Sequence, residues 1–421
     1  MLLTRLCLSV ALFFGYFSYV SASDASLEIN SQQGADFAVG EPQTVAVNPV
    51  PLQAMDSFLS TSQHRLHSVL VIKDQTLIYE RYFSDTDAMV GYEEYQAIDF
   101  AIDTPNLLFS STKSVMSILA GAAVQQGFIS ELDTPITQLL PEEQHLMQGE
   151  QRDITLRHAL NMGVGIDFNE WKPGENGASR LEAGHPWYDF SQVTEAQRLE
   201  YIFSRDMACS PGKCFQYSGA AVELTAKSIE AASQQPIAAF AEQYLFSPLG
   251  ITAHDWLQRE GGGTAYDWGL SLTSRDFAKL GQLYLNQGQW QGEQIVPKQW
   301  IEDSYLPAYR NISSGLNYSR YWYHPHFRVK PDSIWTKLTA RSEWIPVLMS
   351  QGYGNQMIFI FPEQNLLVVL TAGEWLHHRN LRWHKPSTIA RIMAAPYDLV
   401  ANYILPAVLD ADVEFVPNPR K

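Results

Sequence analysis

The sequence predicts an α/β protein of the α+β kind, with one sheet built from both ends of the chain and a helical insertion between them. Three observations predict it. Ser68 to Lys73 and Thr76 to Phe83 are β-branched and aromatic runs separated by Asp74-Gln75, the pattern of a hairpin. Met357 to Phe361 and Leu366 to Thr371 repeat that pattern around Pro362-Glu363-Gln364-Asn365. Between the two, Val115, Met116, Leu119, Ala120 and Ala123 recur at helical spacing as far as Gly127, a natural C-terminal stop. Residues 155–162, 194–203, 219–232 and 236–245 also read as helical.

Composition narrows the class. With 421 residues the chain is long enough for two or three structural units and a large core. Acidic residues outnumber basic ones 45 to 29, and a net charge of −16 repels phosphate backbones and anionic lipid, so nucleic-acid binding is not expected. Met1 to Arg5 carries one positive charge, Leu6 to Val20 is apolar, and Ser21, Ala22 and Ser23 are small, which together read as a secretory signal peptide. An uncleaved anchor is the alternative, although a 15-residue run is short for a bilayer span of about 20. The mature chain is then exported, periplasmic or secreted, without stable membrane insertion. Cys209 and Cys214 flank Ser210-Pro211-Gly212-Lys213, and export permits either a hairpin-closing disulfide or two free thiols.

The expected organisation is a signal peptide over 1–23, an N-terminal leader over 24–62, a sheet domain from 63–125 with 258–405, a helical insertion over 126–257, and a C-terminal tail over 406–421.

The sharpest chemical signal is Leu107-Leu108-Phe109-Ser110-Ser111-Thr112-Lys113, in which Ser-x-x-Lys opens the predicted helix. Three residues apart on a helix, Ser110 and Lys113 share a face, so the amine reaches the hydroxyl. A nucleophilic serine needs such a base, and a helix N-terminus favours developing negative charge. Ser210-Pro211-Gly212-Lys213 fits the same spacing, but its Pro and Gly preclude the helix. On the tetrapeptide alone, an N-capping serine beside a solvated lysine explains the residues equally well.

Further matches follow in order. Gly127-Phe128-Ile129-Ser130-Glu131-Leu132-Asp133-Thr134-Pro135-Ile136 precedes Ile154-Thr155-Leu156-Arg157-His158-Ala159-Leu160 and Met162-Gly163-Val164-Gly165. Phe215-Gln216-Tyr217-Ser218-Gly219, Pro248-Leu249-Gly250-Ile251 and Ser271-Leu272-Thr273-Ser274-Arg275-Asp276-Phe277-Ala278 come after. This order, spanning about residues 66–372, resembles the penicillin-recognising serine hydrolases, in their class C β-lactamase-related group. The pattern is most similar to 6-aminohexanoate-dimer hydrolases and related esterases. The resemblance implies a three-layer α/β/α, β-lactamase/transpeptidase-like fold with an antiparallel sheet and a helical insertion. It also implies acyl-enzyme chemistry without metal or organic cofactor, in which Ser110 is the nucleophile, Lys113 its general base and Tyr217 the proton shuttle to the leaving group.

Two positions depart from the family. The second motif commonly carries Asn or Ser where this chain has Gly219, which removes a hydrogen bond to a substrate amide. The third motif, normally Lys-Thr-Gly or His-Thr-Gly on the strand lining the site, reads Ser350-Gln351-Gly352 here, so the resemblance implies Ser350, Gly352, Tyr353 and Gly219 as substrate-binding or oxyanion residues. Gly352 lets substrate approach the strand, and the amide of Tyr353 could join that of Ser110 as an oxyanion hole. Losing the cation argues against substrates that present a carboxylate, unless Lys172 replaces it from the insertion. Trp171, Trp187 and Tyr188 are candidates for an aromatic rim or for ordinary packing. His324, His326, His377 and His378 read as surface or packing histidines, and Gly261-Gly262-Gly263 as a turn. The leading expectation is a serine hydrolase acting on a small neutral or cationic ester or amide. A β-lactamase or D-alanyl-D-alanine peptidase, and a catalytically inactive secreted binding protein, are the alternatives.

Overall fold

The computed structural model describes residues 37–62, 64–87, 96–168, 170, 183–312, 314–330, 344–373 and 395–416. In chain order, β1 (Ala38–Val39) is followed by α1 (Pro49–Thr61), β2 (Leu66–Lys73) and β3 (Thr76–Tyr82). β4 (Pro105–Leu107) leads into α2 (Ser111–Gln125), and α3 (Leu156–Leu160) and α4 (Gly219–Ser233) come next. β5 (His254–Trp256) and β6 (Leu270–Thr273) precede α5 (Ser274–Leu285). The strands β7 (Asn317–Ser319), β8 (Trp322–His324), β9 (Leu348–Gly352), β10 (Gln356–Phe361) and β11 (Leu366–Ala372) then lead to α6 (Leu405–Leu409).

Both expected hairpins form, and they lie side by side. The eight-stranded sheet runs β1-β3-β2-β11-β10-β9-β8-β7, antiparallel except at the β1–β3 edge. Its centre is the β2–β11 pair, where Leu70 faces Val369 and Val71 faces Val368. The apolar runs of these strands bury both faces, as a sheet covered on both sides requires. Leu70, Ile72, Ile358, Ile360, Leu367 and Val369 enter one core, together with residues of α2, α4 and α5. Val69, Val71, Phe359, Phe361 and Val368 enter the other, with residues of α1 and α6. The architecture is therefore the expected three layers of helix, sheet and helix.

The stretch read as a leader does more than drape. Ala38–Val39 pairs with β3, and α1 turns Leu52, Met55 and Leu59 into the second core, capped by Asn48, which accepts from the Val50 amide at 3.0 Å. Its prolines, Pro49 and Pro51, occupy the first turn, where a missing N–H costs nothing. In the stretch read as a tail, Val413–Phe415 pairs with Phe327–Val329. The signal segment 1–23 lies outside the described residues.

α5 fixes the sheet against the rest of the site. Thr273 caps it by accepting from the Asp276 amide at 3.1 Å, Ser274 bonds the Ser68 hydroxyl at 2.7 Å, and Arg275 clasps Glu80 of β3 with two bonds of 2.8 and 2.6 Å. One turn further on, Gly281 lies so close to β11 that an added Cβ would stand 2.3 Å from Leu367 Cδ1. Substituting Gly281→Leu should therefore destabilise the protein by roughly 1–3 kcal/mol, since overpacking a dense core forces off-rotamer side chains. Chemical denaturation reads the change, and an unaltered midpoint would contradict the close α5–sheet contact.

Candidate active site

The segment before α2 is a strand, a strained turn and a helix. β4 pairs with β6, and the Leu108 amide continues the ladder by donating to Leu270 O at 2.8 Å. Phe109 then adopts φ +46°, a left-handed conformation that costs a non-glycine residue energy and is held only where its surroundings determine it. That turn places Ser110 at the N-cap of α2. Below it, Ser111 donates to Gln356 O at 2.7 Å, Thr112 Oγ1 accepts from the Leu270 amide at 3.3 Å, and Ser114 donates to Tyr321 O at 2.7 Å. The first turn of α2 is thus riveted to β6, to β10 and to the turn before β8.

Lys113 is 1% exposed, and its amine stands 3.4 Å from Ser110 Oγ. The same Nζ donates to the backbone carbonyl of Asp267 at 2.8 Å and lies 3.8 Å from that residue's Oδ2. It also sits 4.8 Å from the centroid of the Tyr217 ring, within the range at which a ring's face attracts a cation. The structure therefore brings Ser110, Lys113 and Tyr217 together across 107 residues of chain. An unprotonated amine so placed can take the proton of the serine hydroxyl, and a phenol beside it can return one.

Tyr217 is held from three sides. The Gln216 amide bonds Met162 O at 2.8 Å, the Tyr217 carbonyl accepts from the Glu170 amide at 3.2 Å, and the Tyr323 hydroxyl of β8 shares a hydrogen bond with Tyr217. Burial, more than that neighbour, pushes Tyr323 well above the usual phenol range. Immediately upstream, Cys209 and Cys214 are bonded as a disulfide with Cα atoms 6.3 Å apart. The loop it closes rests on the Gly163–Gly165 strip, with the Gly212 amide donating to Gly163 O at 2.8 Å.

The remaining predicted residues divide. Gly352 is pressed against the nucleophile turn so closely that a Cβ there would stand 2.1 Å from Leu108 O. Tyr353 follows it, and its ring meets that of Phe109 edge-on at 5.8 Å. The end of β9 thus lies beside Ser110, as an oxyanion hole built from the Ser110 and Tyr353 amides requires. Ser350 is placed differently from the expectation that it lines the substrate site. It is fully buried, is hydrogen-bonded to Ser111 Oγ and accepts from the Ile358 amide, at 3.2 Å each, and so braces α2 against the sheet. Gly219 is likewise enclosed: its amide donates to Glu170, and a Cβ would meet Asp267 Oδ2 at 2.9 Å and Glu170 Oε1 at 3.1 Å. Two carboxylates occupy the space where relatives carry a side chain.

Sequence reasoning missed those carboxylates and the guanidinium that serves one of them. Asp267 Oδ1 accepts from Arg259, both residues being almost wholly buried. The Gly262 and Gly263 turn, at φ +84° and +74°, folds the chain back so that the Arg259 amide reaches Gly263 O at 2.9 Å. Arg198, buried behind it, donates to Gly262 O and lies 3.6 Å from Glu223. Burial pushes the Glu223 carboxyl up to about 7, against the pull of Arg259 and Arg198. The only sequence signal was the glycine triplet. His324 is bonded to Ser319 at 3.0 Å, His326 packs edge-on to Trp344, and Trp187 and Tyr188 lie half-buried on the helix Pro186–Gln192. Trp171, Lys172, His377 and His378 lie outside the described residues.

Residues 54–374 match the family model described as Beta-lactamase. The chain is 25% identical over 212 residues to the 6-aminohexanoate-dimer hydrolase of Paenarthrobacter ureafaciens, a match covering 50% of this chain and 53% of that one. It is 29% identical over 159 residues to the esterase EstB of Burkholderia gladioli, covering 35% and 38%. The matched stretches thus span about half, or less, of these relatives' lengths. The solved structure of EstCE1, a hydrolase with promiscuous acyltransferase activity, superimposes with a TM-score of 0.58 at 16% identity, covering 79% of this chain and 94% of that one, which is a likeness of fold.

Because the Gly352 contact is with backbone, Gly352→Ala has no flexible neighbour to displace. It should part β9 from the Phe109–Ser110 turn and slow covalent modification of Ser110 by a fluorophosphonate about 100-fold, the usual effect of losing one oxyanion donor. An unchanged labelling rate would show that the Tyr353 amide takes no part.

Proposed function

The chain belongs to the Beta-lactamase family, and from that membership we propose that it is an exported serine hydrolase that cleaves a small ester or amide through an acyl-enzyme at Ser110. The observation that carries this reading is the single cluster of Ser110 Oγ, Lys113 Nζ and the Tyr217 ring. Lys113 takes the hydroxyl proton as Ser110 Oγ attacks the carbonyl carbon. The resulting oxyanion is held by the amides of Ser110 and Tyr353. Tyr217, beside Lys113, delivers the proton to the departing alcohol or amine. Water then attacks the acyl carbon by the reverse proton path and frees Ser110.

Relatives named as a 6-aminohexanoate-dimer hydrolase and as an esterase support amide or ester bonds as the target. The third motif supports a substrate that needs no cation there, since Ser350 stands in the place of Lys or His and its hydroxyl is turned toward Ser111. On this reading a β-lactam or a stem-peptide carboxylate has no partner on β9, so neutral or cationic substrates are preferred. Export is supported by the signal-like segment 1–23 and by the Cys209–Cys214 disulfide, a bond that persists in oxidising compartments.

Ser110→Ala should abolish both turnover of activated esters and fluorophosphonate labelling, and Lys113→Met should reduce the rate by at least 100-fold with the fold intact. Mass spectrometry after incubation with a mixed ester, amide and β-lactam library reads the modified residue and acyl mass together. Acyl adducts from esters or amides, without turnover of a chromogenic cephalosporin, are the expected result; full activity in Ser110→Ala would sink the assignment. For export, residues 1–23 fused to a phosphatase that is active only outside the cytoplasm should give activity, and a silent fusion would refute it.

A further inference from the structure

We propose that Asp267 and Arg259 together set the basicity of Lys113, Asp267 as the positioning residue that holds the amine and Arg259 as the counterweight that draws the Asp267 carboxylate aside. The inference rests on the acyl-enzyme reading above, because it concerns the base of that reaction.

Asp267 meets Lys113 twice. Its backbone carbonyl fixes the amine at 2.8 Å, an interaction available to a neutral amine as well as to an ammonium. Its carboxylate, which would favour the ammonium alone, stands back at 3.8 Å, with Oδ1 committed to Arg259. A carboxylate free to close on Lys113 would hold the proton and leave no base. Removing the carboxylate altogether would expose Lys113 to an unneutralised guanidinium and drive the proton off.

Among the described residues, Ser110 approaches the amine from the head of α2 and the Tyr217 ring from the loop before α4, and Tyr323 of β8 is hydrogen-bonded to Tyr217. Glu170 faces Asp267 across Gly219, where the absent side chain leaves room for both carboxylates. Behind Arg259 stand Glu223 of α4 and Arg198. Arg259 and Arg198 both pack on the Phe190 ring, at 4.9 and 6.0 Å from its centroid, and Arg259 is further fixed by the Gly262–Gly263 turn. A turn that excludes side chains and a buried aromatic thus hold the counterweight in place.

The test needs no natural substrate. The rate of fluorophosphonate labelling at Ser110 is measured against pH in the full-length protein, and its acid limb reports loss of the proton from the base. In Asp267→Asn the limb should fall by at least about one pH unit, the usual effect of removing an opposite charge within 4–6 Å. In Arg259→Gln it should rise, and in the double variant, which keeps the buried formal charge even, it should lie between the two. Asp267→Glu should restore the wild-type limb. The same opposed shifts should persist in a Glu223→Gln background, which removes that residue's own titration. Thermal melts establish which variants fold, and if Asp267→Asn does not, the rise in Arg259→Gln and a double variant whose limb lies below that of Arg259→Gln decide. Labelling that slows at every pH without moving the limb, or two single variants that move it in the same direction, would overturn the inference while leaving the acyl-enzyme reading intact. A wild-type protein that fails to label at Ser110 would overturn both.

Discussion

A primary amine taken out of water must be surrounded by oxygen or by aromatic faces, and Lys113 imposes that demand on everything near it. The loop before β6 exists in its observed path because it has to bring the Asp267 carbonyl to Nζ. The small sheet of β4, β6 and β5 fixes that loop relative to the nucleophile turn, since the strand that ends at Leu107 pairs with the strand that follows Asp267. α5 then ties β6, through its cap, to β3, through Arg275 on Glu80. A hydroxyl and an amine three residues apart on one helix are common. Here the buried amine has a backbone carbonyl at 2.8 Å and the carboxylate of the same residue further off at 3.8 Å.

Much of this was legible in the sequence, for physical reasons that differ by element. The central strands announced themselves because both faces are buried, so each is an unbroken apolar run. Ser110 and Lys113 were legible because their relation is local and set by helical spacing. Tyr217 was legible only through the order of several motifs, because nothing local distinguishes a catalytic tyrosine from a core one. Asp267, Arg259 and Glu170 were not legible: each is a single charged residue in a loop; Asp267 and Glu170 take their meaning from contacts 154 and 49 positions away, and Arg259 takes its meaning from Asp267 in turn. The stretch up to about Pro51 is polar with little periodicity and so reads as a leader, which hides α1; its opening prolines are at ease in a first helical turn.

Ser350 shows where motif order and strand geometry give different answers. Motif order assigned it to the substrate-facing third motif. Alternation along β9 puts Leu348 and Ser350 on the face that packs toward α2, and the short hydroxyl cannot reach past that helix. A lysine at this position has a stem long enough to extend from the same face to the mouth of the site; a serine has not. The substitution changes the residue's reach as well as its charge, and the hydroxyl is absorbed into the packing between β9, β10 and α2.

The two departures from the family pattern then read as one rearrangement of charge. On β9 the cation is gone. At Gly219 a side chain is gone, and the carboxylates of Asp267 and Glu170 stand beside it, that of Asp267 3.8 Å from Lys113 Nζ. Arg259 pairs with the Asp267 carboxylate below the surface of the site. In place of a third-motif cation on β9, the interior holds a guanidinium that, in the proposed mechanism, acts on the base. On that proposal, with β9 neutral, selection among substrates falls to shape and to hydrogen bonds at the Gly352–Tyr353 edge, which suit an ester or amide carbonyl.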